Sequence, residues 1–141
     1  MNYLAAEEAI IARLQAEVDG LRGVFGAMDQ AAILKQSQGG AAVYVVWAGD
    51  TIPRDDTDGG QVVRQQWLIC VHVHNPRDQV TGGEARKDAG TIITEVLEAL
   101  TDWSPGDGFS VFHRITAPRP RYAKGGHGYF YLTFETTLVS G

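Results

Sequence analysis

Residues 61–75 alternate in a way that restricts the fold more than any other part of the chain. Val63, Trp67, Ile69, Val71 and Val73 fall on odd positions, while Arg64, Gln66, Cys70, His72 and His74 fall on even ones. A period of two places successive side chains on opposite faces of an extended backbone, so the odd set predicts a core-facing row and the even set an outward one. Such a strand belongs in a sheet with one face buried under other elements.

Partners for that strand are legible on both sides of it. Ala42, Val43, Tyr44, Val45, Val46 and Trp47 are apolar on both faces and rich in β-branched and aromatic residues, which predicts a central strand. A loop rich in Asp and Gly follows over 48–60. In 129–138, Phe130, Leu132, Phe134 and Leu138 alternate with Tyr131, Thr133, Glu135 and Thr137, the first set inward and the second outward. Residues 111–122 are strand-like but hold Pro118 and Pro120, which donate no ladder hydrogen bond and so predict an edge or a bulge. Lys124, Gly125, Gly126, His127 and Gly128 supply the turn between these last two segments.

Two stretches have the helical period instead. Over 3–21, Leu4, Ile10, Ile11, Leu14, Val18 and Leu21 form one stripe, with Asn2 placed to cap it and Gly20 or Gly23 to end it. A short turn of helix is expected over 28–35. The second long helix is expected from Thr81, where Thr81 and Glu84 have the spacing of a capping box, to Trp103, with Ala85, Ala89, Ile92, Ile93, Val96, Leu97 and Leu100 as its apolar face. The sum is an α+β fold in the order α-β-β-α-β-β: a mainly antiparallel four-stranded sheet with two helices packed on one face. With 44% apolar residues, one domain over 1–141 is the expectation.

The net charge of −5 argues against a general nucleic-acid binder, and no apolar run is long enough to span a bilayer. With Glu7 and Glu8 near the start and Cys70 as the one cysteine, a soluble chain without a secretion signal or an internal disulfide is expected. The charge is unevenly spread. No acid lies between Asp107 and Glu135, a window that holds Arg114, Arg119, Arg121 and Lys124, so +4 sits there against −9 on the remainder.

Chemistry-bearing groups are sparse. Cys70, His72 and His74 stand at i, i+2 and i+4 on one strand face, about 7 Å apart at each step, and a His-x-His pair on a strand is able to hold zinc. A closed site needs a fourth ligand, which His113 or His127 would supply only if the fold brought one near. Without it these are polar residues on a half-exposed strand, and no metal is expected. Asp55, Asp56, Asp58 and Gly59 imitate part of a calcium loop. With Gly59 at the glycine position, however, Arg54 takes the place of the first acidic ligand and Gln65 that of the bidentate glutamate. A solvated loop, long enough to touch a partner, is the better reading. The Gly-Gly pairs lack the Lys-Ser/Thr ending of a phosphate loop, and no Gly-x-Ser-x-Gly nucleophile motif occurs, so no cofactor and no catalytic residue is expected.

The order of these patterns resembles a known family over nearly the whole length. The resemblance rests on Glu8-Ala9-Ile10-Ile11-Ala12-Arg13-Leu14, on Ala42-Val43-Tyr44-Val45-Val46, and on Gln65-Gln66-Trp67-Leu68-Ile69-Cys70-Val71-His72-Val73-His74-Asn75. It continues through 89–100 with Trp103-Ser104-Pro105 and closes on 120–136. The chain is similar here to the tail terminator, or tail completion, proteins of tailed bacteriophages. One departure is His74, where relatives often carry arginine before the asparagine. The resemblance implies a virion protein assembled in the host bacterial cytoplasm. It would form a ring, commonly a hexamer, that caps the head-proximal end of the tail tube, stops polymerisation and offers its other face to head-completion or connector proteins. A sheath protein would be a further partner where the tail contracts, and DNA would only pass through the ring.

Alternatives are another head-tail connector or tail morphogenesis protein and, from a different class, a small metal-dependent hydrolase built on His72 and His74. For the ring, Tyr44, Val46 and Trp47 are candidate apolar contacts, since two helices cover only one side of a small sheet. Asp50, Asp55, Asp56 and Asp58 are candidates to meet Arg114, Arg119, Arg121 and Lys124 across a head-to-tail interface.

Overall fold

The computed structural model describes residues 2–34, 39–52, 61–76 and 81–140. Its elements run α1 (Ala6–Glu17), β1 (Gly23–Gly26), α2 (Gln30–Leu34), β2 (Gly40–Thr51), β3 (Gln61–His74), α3 (Gly83–Leu100), β4 (His113–Ile115), β5 (Arg121–Ala123) and β6 (His127–Ser140). The strands form one six-stranded sheet in the order β1-β2-β3-β6-β4, with β5 also on β6. β1 lies parallel to β2 and every other pairing is antiparallel. The α+β class holds, but the expectation of a four-stranded antiparallel sheet with two helices is corrected, among the described residues, to six strands, mixed pairing and three helices. β1 escapes a periodicity reading because Gly-Val-Phe-Gly offers two side chains beyond the glycines. The expected strand over 111–122 divides into two because the chain leaves the ladder near Pro118 and Pro120.

β3 is the middle of this sheet and is paired along its length, to β2 from Arg64 to His74 and to β6 from Gln61 to His74. On one face, Trp67, Ile69, Val71 and Val73 pack with Val43 and Val45 of β2 and Phe130, Leu132 and Phe134 of β6. Ile10 and Leu14 of α1 and Ala89, Ile92 and Val96 of α3 cover them. The inward rows are those the period-two alternation predicts.

Polar residues interrupt this face at Gln65 and, opposite it, at Thr136. Gln65 is fully buried; its amide donates to the Tyr3 carbonyl at 2.8 Å, and its carbonyl accepts the Trp67 indole N–H at 2.9 Å. A buried indole N–H needs a partner, and Gln65 supplies it while fixing the chain just ahead of α1. Asn2 also acts there, its side chain accepting the Leu4 N–H at 3.0 Å, although the helix itself starts at Ala6.

The opposite face is not bare. A parallel β1–β2 pair requires a crossover connection rather than a tight turn, and the chain between them carries α2. Ile33 of α2 is fully buried with Ala42, Tyr44, Val46, Leu68, Cys70, Tyr129 and Tyr131, and Ala117 of the segment between β4 and β5 packs on the same cluster. The even positions of β3, expected to face outward, are therefore buried at Leu68, Cys70 and His72.

The start of α3 departs from the expected capping box. Gly82, left-handed at φ 70°, is the N-cap, which puts Thr81 outside the cap position and Glu84 at the second helical residue instead of the third, so the box does not form. Thr81 instead accepts the Gly83 N–H on its hydroxyl at 3.2 Å. A Cβ at Gly82 would come 2.7 Å from the Tyr122 ring, so β5 sits hard against this helix start. Gly126, at φ 83°, is equally constrained: it accepts the Asn75 N–H at 2.8 Å, and a Cβ there would lie 2.0 Å from the Asn75 carbonyl oxygen.

Replacing Gln65 by alanine strands the Trp67 N–H in the core and releases the lead-in to α1. We expect a loss of about 2 kcal/mol or more in urea denaturation, the cost of a buried donor left unpaired plus a cavity.

Candidate interaction surface

The basic residues are brought to one edge of the sheet. β4 and β5 pair with the same outer side of β6, Arg114 opposite Phe134 and Arg121 opposite Tyr129. Opposed residues share a face, so Arg114 stands on the α1/α3 side and Arg121 on the other. Between the two short strands, residues 116–120 leave the ladder. Arg114, Arg119, Arg121 and Lys124 are all exposed. None of the four has an acidic neighbour in sequence closer than Asp107 or Glu135. The start of α3 adds to this edge, because Arg86 donates to the Tyr122 hydroxyl at 3.2 Å and to the Thr81 carbonyl at 2.9 Å.

The apolar candidates divide. Tyr44 and Val46 are 4% and 5% exposed, enclosed by α2 and its neighbours, so they are not free surface and the expectation for them is corrected. The physical reason is the crossover helix that parallel pairing demands. Trp47 is 40% exposed and remains available. Asp50 is exposed at the end of β2 and accepts a hydrogen bond from the Tyr3 hydroxyl. Asp55, Asp56 and Asp58 lie outside the described residues.

The zinc candidates also divide. Cys70 is fully buried, and burial pushes its thiol up to about 12, so it is a packed sulfur rather than a nucleophile or ready ligand. His127 is the residue that sequence reasoning could not assign: the β3–β6 register sets it opposite His74. The His72 and His127 rings are 14° from parallel with centroids 5.2 Å apart, and His72 Nε2 lies 2.9 Å from His127 Nδ1. Two rings nearly end to end in this way share an N–H···N hydrogen bond. His127 stacks on His74 at 4.2 Å, and His74 Nε2 donates to the Gly125 carbonyl at 2.7 Å. Tyr129 stacks on His72 at 4.6 Å. The row fastens the turn between β5 and β6 to the end of β3.

Proton positions follow from burial. His72 Nδ1 is buried without a partner among the described residues. An unpaired acceptor there is tolerated more readily than an unpaired N–H, which assigns the His72 proton to Nε2 as donor and leaves His127 Nδ1 as acceptor. Burial first, then the charges of His127, Arg22 and His74, hold the His72 imidazole down to about 4; burial and His74 also lower His127. Among the described residues no group of three or more His, Cys, Asp or Glu side chains is arranged to hold a metal ion.

Comparisons with known proteins add a family. The family model described as "Phage tail terminator protein" matches residues 1–141. A chain in the solved structure titled "Virion of native gene transfer agent (GTA) particle" is similar in fold, with a TM-score of 0.63 and 19% identity, covering 99% of this chain and 100% of that one. Curated protein sequences yield no match.

Because His72 is neutral in the fold down to about 4 and ordinarily titrates near 6.5, the unfolded chain takes up its proton first as pH falls. Stability should therefore decline between about pH 6.5 and 4, by roughly 3 kcal/mol from this group, with no further loss from it below that window. Thermal melts across the range should show this slope, and His72→Phe, which keeps a ring against Tyr129 but carries no proton, should flatten it.

Proposed function

Because the chain belongs to the phage tail terminator family, we propose that it caps the head-proximal end of the tail tube as a ring of identical subunits, a hexamer. In this reading the ring stops tube polymerisation and gives head-completion or connector proteins a docking surface. The family match over the full range 1–141 carries the proposal, and the chain acts throughout as one terminator-like domain. Its partners are further copies of itself, the tube protein, the connector proteins and, in a contractile tail, the sheath. The protein resides in the virion, DNA passes through the ring without being read, and no catalytic step or cofactor is involved.

The geometry supports an assembly role. Both sheet edges are formed by short elements, four residues in β1 and three each in β4 and β5, and short edges resist indiscriminate strand pairing. That leaves side chains to specify the contacts. The basic edge with Arg114, Arg119, Arg121 and Lys124 suits an acidic protein surface, and Asp50 with Asp55, Asp56 and Asp58 is the notable acidic counterpart in sequence. A hydrolase on His72 and His74 is disfavoured by one observation: each of these histidines already uses Nε2, on His127 and on the Gly125 carbonyl.

Tail assembly in a phage lacking this chain is the test. Tubes should grow beyond their normal length and fail to join heads. Tubes of normal length that still fail to join heads would move the protein to a connector role, and normal virions would refute the proposal.

A further inference from the structure

The acidic side of the molecule has a place in the fold that the sequence conceals. β1 is the sheet edge opposite β4 and β5, four inter-strand spacings or about 19 Å away. The first turn of α1 lies over that edge, where a Cβ on Gly26 would come 3.4 Å from the Glu7 carboxylate oxygen. Tyr3, just ahead of α1, bonds to Asp50 at the end of β2. Ala27 donates to the Val45 carbonyl at 3.0 Å, which sets Met28 and Asp29 beside the same end of β2. Glu7, Asp29 and Asp50 thus lie at one corner, with Glu8 next to Glu7 on the exposed side of α1; Asp29 also accepts the Ala32 N–H at 2.9 Å.

Among the described residues, the nearby cations Arg22 and Arg13 are engaged within the chain. Arg22 lies over the Phe25 ring and donates to the Tyr44 hydroxyl, while Arg13 pairs with Glu17 and donates to the Ala99 carbonyl. The corner also exposes apolar area: Met28 is 87% exposed, Ile52 49%, and Leu4 and Trp47 40% each. On the far edge, Tyr122 is 48% exposed among Arg119, Arg121 and Lys124. One sheet therefore ends in an acidic apolar corner on one side and a basic edge with an exposed aromatic on the other. The two are too far apart to meet within one molecule.

We propose that a second copy of this chain seats its basic β4–β5 edge on the corner formed by α1, β1 and the end of β2, setting Arg119, Arg121 and Lys124 against the neighbour's Glu7, Glu8 and Asp29. The contact joins different surfaces of identical chains, so it propagates head to tail and closes into a ring when its rotation permits. Met28 and Trp47 supply the apolar area, and the charges fix register and exclude wrong pairings. DNA is a poorer occupant of the basic edge, because the neighbouring acidic corner in a ring would repel phosphate. This inference rests on the ring reading above and adds the surfaces that form it.

The test uses phage tails carrying variant chains, imaged for the ring, with folding checked by thermal melts. Arg119→Glu with Arg121→Glu should lower ring occupancy about tenfold or more, and Glu7→Lys with Glu8→Lys and Asp29→Lys should do the same. A chain carrying all five substitutions should recover most of the ring, because two glutamates again face lysines and only Lys124 is left unreversed. Full occupancy with either set alone would overturn the proposal, as would failure of a folded five-substitution chain to recover. Should that chain not fold, a chain with Met28→Cys and Arg121→Cys decides: a short bismaleimide should yield a ladder of covalent multimers from assembled tails, with Cys70 buried and silent, and monomers alone would overturn the contact. Wild-type tails that carry no ring would overturn the ring reading itself, whereas a ring insensitive to these substitutions would overturn only the proposed surfaces.

Discussion

The structure depends on the position of β3 between β2 and β6, with both of its hydrogen-bonding sides occupied and, over residues 67–73, both of its faces buried. A strand so placed has no solvated side to compensate a misfit, and each face must receive its own cover. α1 and α3 cover one face. The other is covered by a five-residue helix and by the excursion of the chain around Ala117. The parallel β1–β2 pair is what places α2 there, since a crossover has to pass over one face of the sheet on its way back. The shortest strand of the sheet's β2 side thereby determines the cover of its second core.

Much of this was readable. Trp67, Ile69, Val71 and Val73 and, on the last strand, Phe130, Leu132 and Phe134 do line the α1/α3 face, because these side chains are large, aliphatic or aromatic and alternate. The apolar stripe of α3 holds for the same reason at the helical period. The second core was not readable, since a row of Cys70, His72, Tyr129 and Tyr131 carries polar atoms that resemble a solvated face. Their burial follows from α2, whose short sequence states nothing about where it packs. The offset at the start of α3 came from Gly82, whose left-handed backbone takes the cap position that Thr81 would otherwise fill.

The candidate surface divides along the same line. The prolines at 118 and 120 disclosed that the basic segment stands off the ladder, and its four cations are exposed as expected. The exclusion of Tyr44 and Val46 from the surface required the second core to be known. His127 joined His72 and His74 through strand register, a relation that spacing along the chain does not express. The same row secures the turn at the base of the basic hairpin through Gly125, next to Gly126 on Asn75. Burial of the His72 imidazole and the geometry of the basic edge are thus connected through this row.

A small sheet with protected edges, two filled faces and charges of opposite sign on its two sides is suited to repeated contact with copies of itself. The chain belongs to the phage tail terminator family, and the proposed ring would be built from that contact. The most direct measurement is electron cryomicroscopy of assembled tails with this chain identified in the map. The account predicts one ring of it, at the head-proximal end of the tube. Density for the chain repeated along the tube, or none in the virion, would contradict it.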